Sequence, residues 1–126
     1  MKTICAKSTY NPRDDILYVK LNKNHYHSSL ERDGLIIDFN SKKEIIGLEI
    51  LNASAVLRKK RDFLSNVKKG IIEIKVTSTS ILLKLFLIAK INEKTFHRQA
   101  SQNISNQREL QPQRITCELL SLPIIA

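Results

Sequence analysis

A chain of 126 residues with 42% apolar side chains has the size of one small domain and can bury a real core, roughly two thirds of its unfolded surface. It has no Trp and only 6% aromatics, so that core must be built from Ile, Leu and Val, a composition that favours strands. The net charge of +9 is spread along the chain: residues 1–63 carry 12 basic and 8 acidic side chains, residues 64–126 carry 9 and 4. This excludes a dense basic tail, and it argues less for nucleic-acid binding than one basic stripe would. Cys5 and Cys117 have no CxxC spacing, which excludes a zinc finger or a dithiol redox motif. The first eight residues hold no apolar run long enough for a secretory signal. The expectation is a cytoplasmic protein with reduced thiols, no cofactor and no membrane contact.

In chain order, Tyr10-Asn11-Pro12-Arg13-Asp14-Asp15 predicts a turn, since Asn-Pro starts turns and Asp side chains bond their own backbone. Residues 16–21 follow as a strand with Leu17, Val19 and Leu21 inward. Residues 22–33 are polar. His25-x-His27 would place two imidazoles on one side of an extended piece, but two ligands are too few for zinc, and a solvated loop is favoured. Asp33-Gly34 predicts a turn and residues 35–39 a second strand. Asn40 to Lys43 is short enough for a hairpin, which makes the next strand an antiparallel neighbour.

The central stretch is residues 44–54. Ile46, Leu48 and Ile50 share one strand face, Gly47 and Glu49 the other. Asn52 and Ser54 then offer side-chain oxygens to the free N–H groups of a helix start. Residues 53–67 predict that helix, because Val56, Leu57, Phe63, Leu64 and Val67 recur at spacings of seven and four. Arg58-Lys59-Lys60-Arg61 fills its other face, and Lys68-Lys69-Gly70 marks its end.

Residues 71–76 alternate as a strand and residues 77–80 as a turn. Residues 81–91 put Ile81, Leu83, Leu85, Leu87, Ala89 and Ile91 on one face, and Leu82, Phe86 and Ile88 on the other with Lys84 and Lys90. The run is too short to span a bilayer as a helix. A strand covered on both faces, or one used in a dimer contact, fits best; a buried helix is the alternative. Residues 97–113, rich in Gln, Asn and Ser, predict a mobile loop. Residues 114–122 predict a last strand, and Pro123 to Ala126 is an apolar tail.

Three spaced pieces resemble the prokaryotic family catalogued as domain of unknown function 2283. They are Tyr10-Asn11-Pro12 with Asp15-Ile16-Leu17-Tyr18-Val19; Gly34-Leu35-Ile36-Ile37-Asp38; and Ile46-Gly47-Leu48-Glu49-Ile50-Leu51-Asn52-Ala53-Ser54. The resemblance covers residues 10–57, and more loosely 68–126 is similar to longer members. Asn11 and Asn52 stand where the family more commonly has Asp, and Lys42-Lys43 replaces an acidic, Gly-containing turn. The family has no established catalytic residues, so none is carried over. The resemblance implies a partner role, of an antitoxin-like kind.

Possible sites are few. Glu49 reads first as a solvated strand residue, and alternatively as a metal or acid–base partner of Asp38 on the neighbouring strand. Glu73-x-Lys75 is half of a nuclease signature; the other half needs an upstream Asp on a neighbouring strand, and Asp62 lies on the predicted helix instead. Arg58 to Arg61 reads as a solvated helix face, or alternatively as a phosphate contact, with no interleaved aromatics to stack on bases. The predicted fold is β-rich α+β. A three-stranded antiparallel sheet and one helix (residues 1–69) come first, and a second β segment with a polar loop near 97–113 (residues 70–126) follows. The expected function is a non-enzymatic interaction module that binds a protein partner or itself. Nucleic-acid binding through residues 58–61 is the alternative, and a metal-dependent hydrolase is third.

Overall fold

The computed structural model describes residues 3–119. Within them, ten strands form two five-stranded sheets joined by two short helices. The first sheet has the order β2 (Lys7–Asn11), β3 (Ile16–Lys20), β6 (Ile45–Ile50), β5 (Leu35–Phe39), β4 (Ser28–Arg32). The second has the order β1 (Thr3–Ile4), β10 (Gln113–Leu119), β7 (Val67–Val76), β8 (Ser80–Ile91), β9 (Lys94–Ser105). All neighbours are antiparallel except β1 and β10, which are parallel. The helices are α1 (Ala53–Leu57) and α2 (Arg61–Leu64).

Period-two alternation builds the core. Leu17 and Val19, Leu35, Ile37 and Phe39, and Leu48 and Ile50 are buried from the first sheet; Ile72, Ile74 and Val76 and the odd residues 81–89 are buried from the second. They belong to one hydrophobic cluster. Leu35, Ile37, Ile45 and Leu48 face Ile74, Ile81 and Leu83 across a gap of only ≈ 10 Å³, so the two sheets interdigitate. A register shift between Asp38 and Phe39 brings Ile45, rather than Ile46, into this cluster.

The β-rich reading holds, and the expected strands pair in the order β3-β6-β5, but several details change. The first sheet has five strands, not three. β2 and β4 flank the expected trio, and each buries a single large side chain, Tyr10 and Leu30. Such polar edge strands carry too little alternation to show in a sequence. The single helix of residues 53–67 is instead two pieces. Arg58 turns left-handed (φ 55) and closes α1, while Lys60 is extended and opens α2. A continuous helix would stack Arg58 over Arg61 one turn apart, and the break relieves that repulsion. It also lets Arg61 fold back to Pro12, whose carbonyl its Nη1 reaches at 3.0 Å.

Residues 81–91 are strand throughout, paired on both sides, which removes the helix alternative. The mobile loop expected at 97–113 is largely a strand: β9 pairs with β8 out to Ser105, and its polar side chains reflect its place at a sheet edge. Only residues 106–112 connect it to β10. That connection is clasped by buried Asn106, whose Nδ2 donates to the carbonyls of Thr77 (2.9 Å) and Leu110 (3.0 Å). Residues 120–122 of the predicted last strand, and the apolar tail, lie outside the described residues. The thiols read as reduced and separate are paired: Cys5, just after β1, and Cys117 of β10 form a disulfide, with Cα atoms 5.3 Å apart. Their separation of 112 residues hid this from the sequence. Among the described residues, no helix is long and apolar enough to cross a membrane.

Gly70, expected to stop the helix, lies within β7, between Leu87 of β8 and Leu119 of β10. A Cβ there would stand 2.6 Å from the Phe86 carbonyl oxygen and 2.9 Å from Leu87 Cδ2. Gly70→Ala should therefore destabilise the protein by about 1–3 kcal/mol through overpacking, despite the better strand propensity of Ala. Thermal unfolding measures this, and a melting temperature at or above that of the parent would show that β7 and β8 separate without cost.

Candidate functional site

Residues of the first and third sequence motifs converge on one carboxylate. The turn after β2 is set by Asn11, whose Oδ1 accepts the N–H groups of Arg13 and Asp14, each at 3.0 Å. The chain then enters Asp15 with φ 57, which aims its side chain inward, where it is only 2% exposed. Asp15 Oδ1 accepts the Tyr10 hydroxyl (2.7 Å) and the Ser54 N–H (3.0 Å), and Oδ2 accepts the Ser54 hydroxyl (2.5 Å). Arg61 Nε lies 3.7 Å from Oδ2, and the Asp15 carbonyl accepts the Ala53 N–H at 2.8 Å.

Asp15 thus does for α1 what Asn52 and Ser54 were expected to do. Asn52 is left-handed (φ 54) and makes no side-chain cap. The free N–H groups at the helix start are instead taken by a residue 39 positions earlier in the chain. Burial pushes the Asp15 carboxyl up. The hydrogen bonds from Ser54 and Tyr10, with the Arg61 charge, outweigh that and hold it below the ordinary aspartate range. The Tyr10 hydroxyl is pushed well above its usual range, first by burial and then by donating to that carboxylate. A carboxylate this enclosed and this fully satisfied is built for stability rather than for meeting a substrate.

The second group of motif residues lies on the outer face of the first sheet. Asp38 stands opposite Gly47, while Glu49 stands between Ile36 and Tyr18. Asp38 and Glu49 are therefore diagonal rather than directly paired. Asp38 Oδ1 accepts the Ser29 hydroxyl at 2.7 Å, and Ser29 Oγ in turn takes the Tyr26 hydroxyl at 2.8 Å. The Tyr18 phenol is pushed up by burial and then by the charges of Asp38 and Glu49. A Cβ on Gly47 would sit a tight 3.2 Å from the Val19 carbonyl oxygen and in ordinary contact, 3.5 Å, with Asp38 Oδ2, so this glycine lets the β3 backbone approach closely. Gly34 (φ 85) follows Asp33 (φ 51) in the two-residue turn from β4 to β5.

Among the described residues, no three His, Cys, Asp or Glu side chains gather where a metal could be held. His25 and His27 are exposed in the connection before β4. Glu73 and Lys75 lie on the outer face of β7, in a shallow depression shared with Lys84 and Arg114. Asp62 does not join them; it lines a different groove.

The run from Arg58 to Arg61 splits. Arg61 is committed to Asp15 and Pro12, while Arg58, Lys59 and Lys60 line an open groove of ≈ 410 Å³ with Asp62, Phe63, Ile91, Phe96 and Arg98. Phe96 and Arg98 come from β9, at the edge of what the sequence presents as a polar loop. No local signal ties them to the basic run; only the β8–β9 pairing places them there.

Two outcomes follow from this geometry. A depressed carboxyl adds stability above its unfolded-state pKa, about 3.9, and that stability is lost as pH falls through the lower folded value. Tyr10→Phe removes one donor to Asp15 and should cost about 1–2 kcal/mol at neutral pH. The cost should shrink in acid, and the acid-unfolding midpoint should move to higher pH. Urea titrations across the acid range test this, and an unchanged acid limb would contradict it. Gly47→Val should cost about 1–3 kcal/mol, because its side chain must displace Asp38 or the β3 backbone. Equal or higher stability of that variant in the same titration would contradict the packing role.

The family model described as protein of unknown function (DUF2283) matches residues 7–54, the segment that holds the turn, the first sheet and the Asp15 knot. An uncharacterised protein of Methanocaldococcus jannaschii is 33% identical over 91 residues, covering 70% of this chain and 78% of its own. A Methanosarcina mazei protein with the provisional name hypoxanthine phosphoribosyltransferase is 27% identical over 84 residues, covering 67% of this chain and 68% of its own. No solved structure gives a significant match. With the motif segment matched and a relative aligned over most of its length, the chain belongs to the family of proteins of unknown function DUF2283.

Proposed function

We propose that the protein is a non-enzymatic interaction module that pairs with a second copy of itself through the outer face of the second sheet. The observation that carries this is an apolar patch on that face. Ile71, Leu82, Phe86 and Ile88 are half-buried there, and Ile71 stands directly opposite Phe86. Large apolar side chains clustered on an open sheet face mark a contact surface. The Asp15 carboxylate, by contrast, is enclosed and fully hydrogen-bonded.

The arrangement of charges favours a second copy over an unrelated partner. Across β7 and β8, Glu73 is opposite Lys84, Ile71 opposite Phe86, and Lys75 opposite Leu82. A two-fold axis running between these strands sets Glu73 of one copy over Lys84 of the other, and Ile71 over Phe86. Such a face is self-complementary, as a two-fold interface requires. The phosphoribosyltransferase name of one relative gains no support from the geometry. The two helices, of five and four residues, are too short to direct a helix dipole at a diphosphate.

Light scattering after size exclusion should give a dimer for the parent protein and a monomer for Phe86→Lys. The variant should stay folded, with circular dichroism like the parent's, because Phe86 lies on the outer side of β8 and its neighbours Leu85 and Leu87 fill the core. A parent that stays monomeric at every concentration, or a Phe86→Lys variant that remains dimeric, would refute the proposal.

A further inference from the structure

We infer that the groove between the α1–α2 link and the β8–β9 hairpin binds single-stranded nucleic acid. Arg58, Lys59 and Lys60 would hold phosphates, and Phe96 with Arg98 would form a stacking platform for a base. This is a second binding surface, distinct from the dimer patch except that Arg98 borders both. Phe96 and Arg98 stand opposite Ala89 and Leu87, on the inward side of β9, whereas the dimer patch lies on the outer side.

The lining of the groove carries the inference. Four cations, Arg58, Lys59, Lys60 and Arg98, face one carboxylate, Asp62. Among the described residues, none of the four cations makes an ion pair, whereas the neighbouring Arg61 does. Uncompensated cations held together are a field for a polyanion. Lys59 Nζ reaches only the Arg58 carbonyl, at 3.4 Å, and is readily released to a phosphate.

The aromatic component comes from β9. The Arg98 guanidinium lies 5.4 Å over the Phe96 ring and is held by donation from Nη1 to the His97 carbonyl at 2.9 Å. Phe96 is half-buried against the core, so the ring is fixed in place. A planar cation stacked on an aromatic ring beside free cations fits a base and its phosphates. It fits a single strand better than a duplex. A duplex hides its base faces, and the helices at this groove, five and four residues long, are too short to read a major groove. An acidic protein segment would use the cations and leave the platform idle.

Fluorescence anisotropy with a labelled oligothymidylate of about 15 nucleotides tests the inference, using the full chain. The parent should bind at about 50 mM salt and lose affinity steeply by about 200 mM. Phe96→Leu and, separately, Arg98→Gln should each weaken binding roughly tenfold, with Phe96→Leu leaving the salt slope unchanged. Lys59→Glu with Lys60→Glu should abolish binding while circular dichroism and thermal unfolding stay as in the parent. No binding by the parent at low salt would overturn the inference. So would binding by Phe96→Leu equal to the parent, preference for a duplex of the same length, or equal competition by polyglutamate. The last result would reassign the groove to acidic protein segments. Phe86→Lys should bind the oligonucleotide like the parent through each groove, so failure of the dimer proposal and failure of this one are distinguishable.

Discussion

The buried carboxylate of Asp15 lies where three parts of the chain meet. It joins the β2–β3 turn, the start of α1 and, through Arg61, the start of α2. An ionised group taken out of water is costly unless it is fully hydrogen-bonded. Here two hydroxyls, a backbone N–H and a guanidinium satisfy it, and the left-handed backbone at Asp15 is the local strain that puts it in reach. The same contacts give Tyr10, Asp15 and Ser54 of the motif segment a common role. They form one polar knot rather than three separate features.

That knot also shapes the basic surface. By drawing Arg61 back toward the turn, it removes one cation from a run of four and breaks what would be one helix into two. The remaining three cations are left on the connecting link, facing the tip of the β8–β9 hairpin. A structural ion pair on one side of the link therefore leaves a free, positively charged groove on the other.

The two sheets bury their inner faces against each other and leave outer faces of different character. The outer face of the first sheet carries Asp38, Glu49 and Tyr18 around a glycine, and Asp38 is tied through Ser29 to Tyr26 in one short hydrogen-bonded chain. The outer face of the second carries Ile71, Phe86 and Ile88 with lysines and glutamates around them. The contrast arises from residues 81–91, where both strand faces are apolar and only one can enter the core. The other stays on the outer face.

Period-two alternation made the strands at residues 16–20, 35–39, 45–50, 71–76 and 81–91 legible, and the short Asn40 to Lys43 connection made the β5–β6 hairpin legible, because both signals are local. The motif spacing likewise gave the family. The polar edge strands β2, β4 and β9 were not legible, since an edge strand is defined by its neighbour's hydrogen bonds and not by its own pattern. Nor was the cap of α1, which comes from Asp15 rather than from Asn52 or Ser54. The Cys5–Cys117 pair, the division of labour between Arg61 and its three neighbours, and the arrival of Phe96 beside Lys59 and Lys60 were decided by the tertiary structure alone. Each depends on which strands lie side by side. Long-range pairing is set by the summed burial of a whole sheet, and no window of sequence contains that sum.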